Sequence, residues 1–444
     1  MRSFPGKFRY AIPLLFIFLV SCQKKKDYKE VFHDPFLYES TVHALNYAVI
    51  YDIFSPPVAS RIFAYSCIAG YETMTRSNPG LPRLDGKVPG LNNIPDPPAG
   101  ASVDFEFASL IALSTVGQAL IFTEDKMNHY MDSVRTLAQQ STMSPAMYQA
   151  SIDYGKAVAD SVLSWSKKDV YAQTRGIQHT ISHEDGHWVP TPPGYFAAVE
   201  PAWESIRTIA LDSPNQFKVP GPIPFSKKPG SPFYNMVKQV MDTVNSLNKE
   251  RKWIANFWDC NSFALHVEGH LMFATKAMTP CGHWMEVTGT ICKLKHADFG
   301  HTAETYAGTS IGMFDGFITC WWAKYYWDLI RPETYINEYI NPDWKPYLQT
   351  PPFPEYYSAH STISAAAATV LGRLYGNNTA FRDSSERDWG WPDRHFNSMD
   401  DAANEVGMSR FFGGIHYFNS VMEGTVVGKK VGNLVMDKLF TPPR

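Results

Sequence analysis

The segment TSIGMFDGFITCWWAKYYWDLI, residues 309–330, is apolar enough to resemble a membrane span. Asp315, Lys324 and Asp328 interrupt it, and the mean hydropathy of the chain is −0.24. Charged side chains are costly inside a bilayer, so a spanning segment rarely carries three of them. The segment therefore predicts a helix that is buried in a protein core and carries a few functional charges.

Helical periodicity continues on both sides of this segment. Apolar side chains recur every three or four residues over 31–77, 101–122, 124–140 and 145–167, and again from 234 to the C-terminus with proline-rich interruptions near 341–357. The stretch 168–233 is rich in Pro, Gly and His, and its aromatic residues favour an ordered loop over a flexible linker. Because strand-like alternation is scarce, we predict an all-α protein with two halves like four-helix bundles and long ordered proline-rich loops.

Composition limits the possible functions. The 444 residues are 44% hydrophobic and 19% charged, which is typical of a folded globular protein. The formal net charge of −3 provides no basic field, so nucleic acid is not an expected partner. No motif identifies a protein partner.

The N-terminus resembles a bacterial lipoprotein signal. A basic start with Arg2, Lys7 and Arg9 precedes the apolar run AIPLLFIFLV, which is too short to span a bilayer. The sequence Leu19-Val20-Ser21-Cys22 then resembles a lipobox, which predicts a signal peptide over 1–21, lipidation of Cys22, a tether over 22–30 and one domain over 31–444. A plain secretory signal is the alternative. Both predict an exported protein, either lipid-anchored at the bacterial cell envelope (periplasm or cell surface) or secreted.

The remaining cysteines, Cys67, Cys260, Cys281, Cys292 and Cys320, indicate no disulfide framework, although one or two bridges are possible. A zinc site is an alternative use for two of them. The sequence HVEGH would put His266 and His270 on one face of a helix, with Cys260, Cys281 and His283 nearby. The spacing matches no standard zinc pattern, so we favour packing or capping roles for these histidines.

Three short motifs point to an anion site. Lys324 and Arg331 are seven residues apart, which predicts that both project from one face of the buried helix. Such cations need an anion, unless each pairs with Asp315, Asp328 or another carboxylate. Ser358, Ala359 and His360 precede an alanine-rich run, which predicts a helix from about Ser361 whose N-terminus attracts negative charge. Finally, Arg410 and His416 come within reach of each other if their segment is roughly helical, and Gly413-Gly414 allows close backbone approach.

Together these motifs resemble the three-part signature of the type 2 phosphatidic acid phosphatase and vanadium haloperoxidase superfamily. The signature consists of Lys, six residues and Arg-Pro (324–332), then Ser-X-His (358–360), then Ser-Arg, five residues and His (409–416). The haloperoxidase branch fits best, because the membrane-bound lipid phosphatases have several spans and the soluble phosphatases are shorter. Residues 55–74, 187–203, 280–287 and 351–362 are similar to segments of bacterial vanadium haloperoxidases, in particular the secreted iodoperoxidases of marine flavobacteria.

The resemblance implies a cofactor, vanadate (V⁵⁺), and roles for the residues of an oxyanion site within 320–420. His416 would bind vanadium, and His360 would hydrogen-bond the apical oxygen and handle protons. The equatorial oxygens would be held by Lys324, Arg331, Ser358, Arg410 and the backbone N–H of Ala359. Hydrogen peroxide and a halide would be the substrates and hypohalous acid the product, with Lys324 also polarising the peroxide.

The resemblance also places Trp321 and Phe353 beside the vanadate, as a halide pocket. Bromoperoxidases tend to carry histidine where this chain has Phe353, and a poorly hydrated aromatic pocket favours iodide. Both rings could instead be ordinary core residues.

Two departures from the family pattern affect the cofactor site. Ala359 stands where glycine is usual and would be penalised at positive φ, and Ser420 stands where an aspartate often orients the histidine. Two other functions stay open. One is a phosphatase that forms a phosphohistidine at His416, and the other is a surface lipoprotein that has lost activity.

Overall fold

A computed structural model of the chain describes residues 25–262, 264–268, 271–274 and 276–441. The predicted signal peptide and the predicted lipidation site Cys22 lie outside these residues. The first helix begins at Tyr28, inside the predicted tether, and its Phe32 is fully buried in the core.

The described residues are mainly helical, as predicted. The helices are α1 (Tyr28–Phe32), α2 (Phe36–Tyr51), α3 (Pro56–Met74), α4 (Phe105–Leu120), α5 (Glu124–Gln140), α6 (Pro145–Ser166), α7 (Tyr171–Thr174), α8 (Pro232–Asn245), α9 (Lys249–Phe257), α10 (Pro280–Leu294), α11 (Phe299–Trp327), α12 (Pro332–Tyr339), α13 (Ala359–Tyr375), α14 (Met399–Phe412) and α15 (Phe418–Val435), followed by a π-helical turn Met436–Phe440. The predicted loop over 168–233 contains only α7 and the 3₁₀ turn Trp203–Ser205 before α8 begins.

Two antiparallel hairpins interrupt the helices and correct the prediction of continuous helix after 234. Strands β1 (Leu265–Glu268) and β2 (Leu271–Ala274) pair with each other, as do β3 (Phe381–Asp383) and β4 (Arg394–Phe396). His266 therefore lies on a strand and not on a predicted helical face, and His270 lies outside the described residues. Segments of three or four residues are too short for periodicity to distinguish strand from helix.

Most of the segment that resembles a membrane span, up to Trp327, belongs to α11, which is buried from Phe299 to Cys320 with the sole exposed position at His301. No helix among the described residues is long and apolar enough to cross a membrane. Small residues let α11 approach α13 closely. A methyl group added at Gly312 would lie 3.4 Å from Val370, and one added at Gly316 would lie 3.4 Å from Ile363. This contact brings the end of α11 beside the start of α13.

Helix α15 packs on the other side of α13, also through glycines. An added methyl group at Gly428 would lie 2.1 Å from the carbonyl oxygen of Thr362, and one at Gly424 would lie 2.6 Å from that of Ser358. Only glycine permits such an approach of two helix backbones. The packing of α11, α13 and α15 thus fixes the first turn of α13, where the predicted oxyanion motif lies.

Candidate active site

Lys324 and Arg331 are both fully buried but do not share a helix, which corrects the sequence prediction. Helix α11 ends at Trp327, Asp328 is left-handed with φ of 45°, and Arg331 precedes α12 in an extended conformation. The helix ends because aspartate tolerates the left-handed region and Pro332 starts a new helix. The two cations still converge, since both lie about 5 Å from the ring of Phe353 (5.1 and 5.0 Å).

The Ser-Ala-His motif opens α13, two residues earlier than predicted. Ser358 is the N-cap, and its hydroxyl accepts hydrogen bonds from the backbone N–H and the hydroxyl of Ser361 (3.4 and 2.9 Å). Ala359 is the first helical residue. The penalty expected for alanine at positive φ therefore does not arise, and this departure from the family pattern leaves the local backbone unstrained.

Arg410 and His416 are not on one helix either. Helix α14 ends at Phe412, and a turn through Gly413-Gly414 leads to His416. Gly414 has φ of +78°, and an added methyl group there would lie 2.7 Å from Val244 and 3.3 Å from Pro346. The prediction that these glycines permit close approach is therefore confirmed, although a turn and not a helix joins the two side chains.

The motifs meet around one cavity. Its lining includes Phe353, Ala359, His360, Arg410 and His416. Arg331 extends behind it, with Nη1 donating to the carbonyl oxygen of Ile415 (2.8 Å) and lying 3.3 Å from His416 Nε2. Arg331 and His416, 85 positions apart in sequence, thus share one site, which only the tertiary packing brings together.

The two aspartates that could have neutralised these cations, Asp315 and Asp328, are engaged elsewhere. Asp315 accepts three backbone N–H groups, from residues 209–211, and Asp328 contacts His179 and His187. Lys324 Nζ donates to the carbonyl oxygens of Pro354 and Glu355 (2.9 and 3.0 Å). The explanation of Lys324 and Arg331 by pairing with these aspartates is therefore wrong.

Glu355 is the residue that sequence reasoning missed. It is fully buried, and its Oε1 accepts hydrogen bonds from His416 Nδ1 (2.8 Å) and from the backbone N–H of Tyr417 (2.9 Å). It does what was expected of an aspartate at position 420. Ser420 instead offers its backbone carbonyl to the N–H of Ser358 (3.2 Å). Nothing in the spacing of PPFPEYY marks Glu355, because its partner lies 61 residues away.

The two histidines are held neutral by their surroundings. Burial lowers the pKa of His416 well below its ordinary value, and Arg331, Lys324 and Arg410 lower it further. With the proton on Nδ1 facing Glu355, Nε2 of His416 keeps a lone pair. Burial and Arg410 likewise hold the pKa of His360 well below its ordinary value. Both residues can thus act as a ligand or as a proton acceptor near neutral pH.

Burial lowers the pKa of each of the three cationic side chains. Desolvation lowers the pKa of Lys324 to about 7 and that of Arg331 to about 10, and it also lowers the pKa of Arg410. Burial raises the pKa of Glu355 to about 7, against the opposing effect of Arg331 and Lys324. Each of these cations would be stabilised by a further negative charge.

Several buried polar atoms of the site lack a partner within the described chain. Arg331 Nη2, Arg410 Nε and His360 Nε2 are buried without a hydrogen bond. Lys324 uses two of its three ammonium hydrogens, and Ser358 still has its hydroxyl hydrogen to donate. Buried polar groups are normally satisfied, so this set of unused donors in one region fits a tetrahedral oxyanion with several oxygens. A vanadate ion meets this demand and accepts the lone pair of a neutral histidine.

The two aromatic rings of the predicted halide pocket lie next to each other. Phe353 lines the cavity, and its ring centroid lies 5.0 Å from that of Trp321. Trp321 is 1% exposed and donates from its indole N–H to the carbonyl oxygen of Val199 (3.1 Å). The cavity therefore has the ring of Phe353, backed by Trp321, on its lining together with the guanidinium of Arg410.

The cysteines form no disulfide among the described residues. Cys67, Cys260, Cys281, Cys292 and Cys320 are all buried and free. Cys260 and His283, two members of the alternative zinc set, do approach each other, whereas Cys281 does not belong to the same cluster of ligand atoms.

Comparison with known proteins gives both family and fold. A family model described as the VCPO second helical-bundle domain matches residues 339–442. The crystal structure of the first bacterial vanadium-dependent iodoperoxidase is 39% identical, with a TM-score of 0.87 over 92% of this chain and 98% of that one. Holo-type and apo-type structures of a bacterial vanadium-dependent chloroperoxidase are each 15% identical and share the fold, with TM-scores of 0.65 and 0.64. They cover 87% and 86% of this chain, and 93% and 94% of theirs. No curated protein sequence matches the chain.

Proposed function

The chain belongs to the family of vanadium-dependent haloperoxidases, and from this premise we propose that it oxidises iodide with hydrogen peroxide to hypoiodous acid. The observation that carries the proposal is the neutral, buried His416 on the wall of the cavity, within the electrostatic reach of Arg331, Lys324 and Arg410. Two electrons pass from iodide to the peroxide, and iodide, hydrogen peroxide and one proton give hypoiodous acid and water.

The residues divide the work of holding the cofactor. His416 Nε2 is the ligand for vanadium, and Glu355 fixes the tautomer that exposes this lone pair. Lys324, Arg331, Arg410, Ser358 and the N–H of Ala359 hold the vanadate oxygens. Bound vanadate supplies a Lewis acid that stays at V⁵⁺ and makes peroxide more electrophilic.

His360 moves the protons. Its Nε2 is unpartnered, faces the cavity and is neutral, so it accepts a proton from incoming hydrogen peroxide. It returns that proton to the oxygen that leaves as water. The positive charge of Arg410 disfavours the imidazolium and so returns the residue to its starting state.

Iodide as the halide is supported by the aromatic wall. Phe353 and Trp321 offer no hydrogen-bond donor to the cavity that would assist a smaller, strongly hydrated halide, because the indole N–H of Trp321 is engaged with Val199. A large, weakly hydrated and easily oxidised ion suits this wall. The oxidation of iodide by the structurally similar iodoperoxidase supports the same choice.

The test compares three reactions on one sample of purified protein. We expect triiodide from iodide and hydrogen peroxide only after addition of orthovanadate, a much lower rate with bromide, and negligible hydrolysis of a phosphate ester. Hydrolysis that vanadate inhibits, without iodide oxidation, would assign the site to phosphoryl transfer through His416. Absence of both reactions in a sample that takes up no vanadium would mean an inactive protein.

We further propose that the enzyme is exported and held to the bacterial cell envelope by a lipid on Cys22. The proposal rests on the sequence of residues 1–22 alone. Mass spectrometry of the mature N-terminus after expression in a bacterial host tests it: a diacylglyceryl-modified Cys22 is expected, and an unmodified N-terminus elsewhere would contradict it.

A further inference from the structure

A second cluster of ligand-type side chains lies beside the active site, and the haloperoxidase reaction does not use it. Cys260 Sγ lies 3.5 Å from His283 Nδ1, and Glu386 Oε1 lies 3.1 Å from the same nitrogen. The three ligand atoms all lie within 4.8 Å of one another. Cys260, His283 and Glu386 are 7%, 1% and 7% exposed, so the cluster is screened from bulk solvent.

The far side of the imidazole is held as it is in many metal sites. His283 Nε2 lies 2.7 Å from Asp383 Oδ2 and 2.9 Å from Ser385 Oγ. A hydrogen bond from Nε2–H to the carboxylate leaves the lone pair on Nδ1, which faces Cys260 and Glu386. A carboxylate that orients a ligating histidine through its other nitrogen is a recurring second partner of zinc ligands.

The backbone also holds the thiol in place. Cys260 has φ of +43°, in the left-handed region that residues other than glycine rarely occupy. The ring of His283 stacks on Trp258 with centroids 4.3 Å apart and an interplanar angle of 26°. Strain of this kind persists where the surrounding structure fixes a residue at a functional site. In this conformation Sγ of Cys260 lies beside Nδ1 of His283.

We propose that Cys260, His283 and Glu386 bind a divalent metal ion of the zinc class, with Asp383 as the partner that orients His283. A thiolate, an imidazole and a carboxylate form a donor set that zinc accepts. The separations of 3.5 and 3.1 Å are those between neighbouring ligands of a tetrahedral ion whose bonds measure about 2.0–2.3 Å. The fourth position is left for water.

The metal would affect the active site indirectly, by fixing a backbone segment that contacts Arg410. Arg410 Nη1 donates to the carbonyl oxygens of Trp258 and Asp259 (2.9 and 3.2 Å), and Cys260 lines the vanadate cavity. An ion on Cys260 therefore fixes the segment 258–260 against α10 and, through it, the guanidinium of Arg410.

Elemental analysis of the full-length protein tests this site separately from the vanadate site. We expect close to one zinc per chain after dialysis, independent of added vanadate, and its loss in Cys260→Ser and His283→Ala. Cys281→Ser is the matched control, because this buried cysteine lies outside the cluster and should leave the zinc content unchanged. Zinc content that is equal in Cys260→Ser and in the wild type would overturn the proposal.

A second measurement covers the case in which the variants fail to fold. Wild-type protein treated with a chelator is titrated with Co²⁺, and a near-ultraviolet thiolate-to-cobalt charge-transfer band that Zn²⁺ removes is expected. Absence of both zinc and this band would mean that a proton on His283, shared between Asp383 and Glu386, holds the cluster together instead. Neither readout depends on iodide oxidation, so failure of the proposed enzymatic function would leave this result intact.

Discussion

His416 Nδ1 donates a hydrogen bond of 2.8 Å to Oε1 of Glu355, and both side chains are buried at the back of the cavity. The glutamate replaces the aspartate expected at position 420. Its position is coupled to a second function, since the backbone carbonyl of the same residue accepts a hydrogen bond from Lys324 (3.0 Å). One residue thus orients both the metal ligand and a cation of the site.

Glu355→Gln should weaken vanadate binding by roughly 10- to 100-fold, the usual effect of removing the partner that orients a metal ligand. The amide can offer His416 an N–H, which would favour the wrong tautomer. Equilibrium dialysis with orthovanadate measures the affinity. Glu304→Gln, a buried glutamate at the other end of α11, is the control and should bind as the wild type does. Equal affinity in both variants would contradict the role of Glu355.

The elements that the sequence predicted well are those with local signals. Long helices such as α6 carry repeated apolar positions, and the three motifs carry the residue types that an oxyanion demands. Each short motif could therefore be assigned before its surroundings were known.

The errors concern helix ends, contacts between distant loops and very short strands, none of which periodicity over a long window reports. Lys324 and Arg331 fit one helical face in sequence, yet the left-handed Asp328 separates them, and a glycine turn separates Arg410 from His416. Glu355 could not be found at all, because its contacts cross from one loop to another. The hairpin of β1 and β2 was missed since its strands are only four residues long.

Vanadate binding should weaken as the pH rises because of Lys324. Burial lowers the pKa of this amine to about 7, so above that pH it is mostly neutral in the free protein. A bound anion raises its pKa, and binding at pH 8–9 therefore takes up a proton. The affinity should fall by up to about tenfold per pH unit from this group.

Lys324→Arg isolates the contribution of Lys324, because arginine stays charged throughout this range. The ionisation of vanadate itself affects both proteins equally. We expect a shallower slope of affinity against pH in the variant, measured between about pH 6 and 9. Identical slopes would mean that Lys324 keeps its proton in the free protein.

His360 and His416 should separate catalysis from cofactor retention. His360→Ala should lower kcat for iodide oxidation by roughly 100- to 10,000-fold, the range for loss of a positioned proton acceptor, and still bind vanadate. His416→Ala should lose vanadium on elemental analysis. His395→Ala, at an exposed position on β4, is the control for both measurements. Full turnover in His360→Ala, or full vanadium retention in His416→Ala, would refute the corresponding role.

Gly428→Ala should disturb the site without touching it. The new methyl group would lie 2.1 Å from the carbonyl oxygen of Thr362 and 2.8 Å from Ala365, so α15 must move away from α13. Overpacking of this kind costs about 1–3 kcal/mol of the free energy of unfolding. Because Thr362 lies one turn after Ser358, the shift should also weaken vanadate binding.

Gly176→Ala is the control, since no atom lies within 4 Å of its added methyl group. Denaturant unfolding measures both variants, and an unchanged free energy of unfolding in Gly428→Ala would mean that the close approach of α13 and α15 does not hold the start of α13 in place.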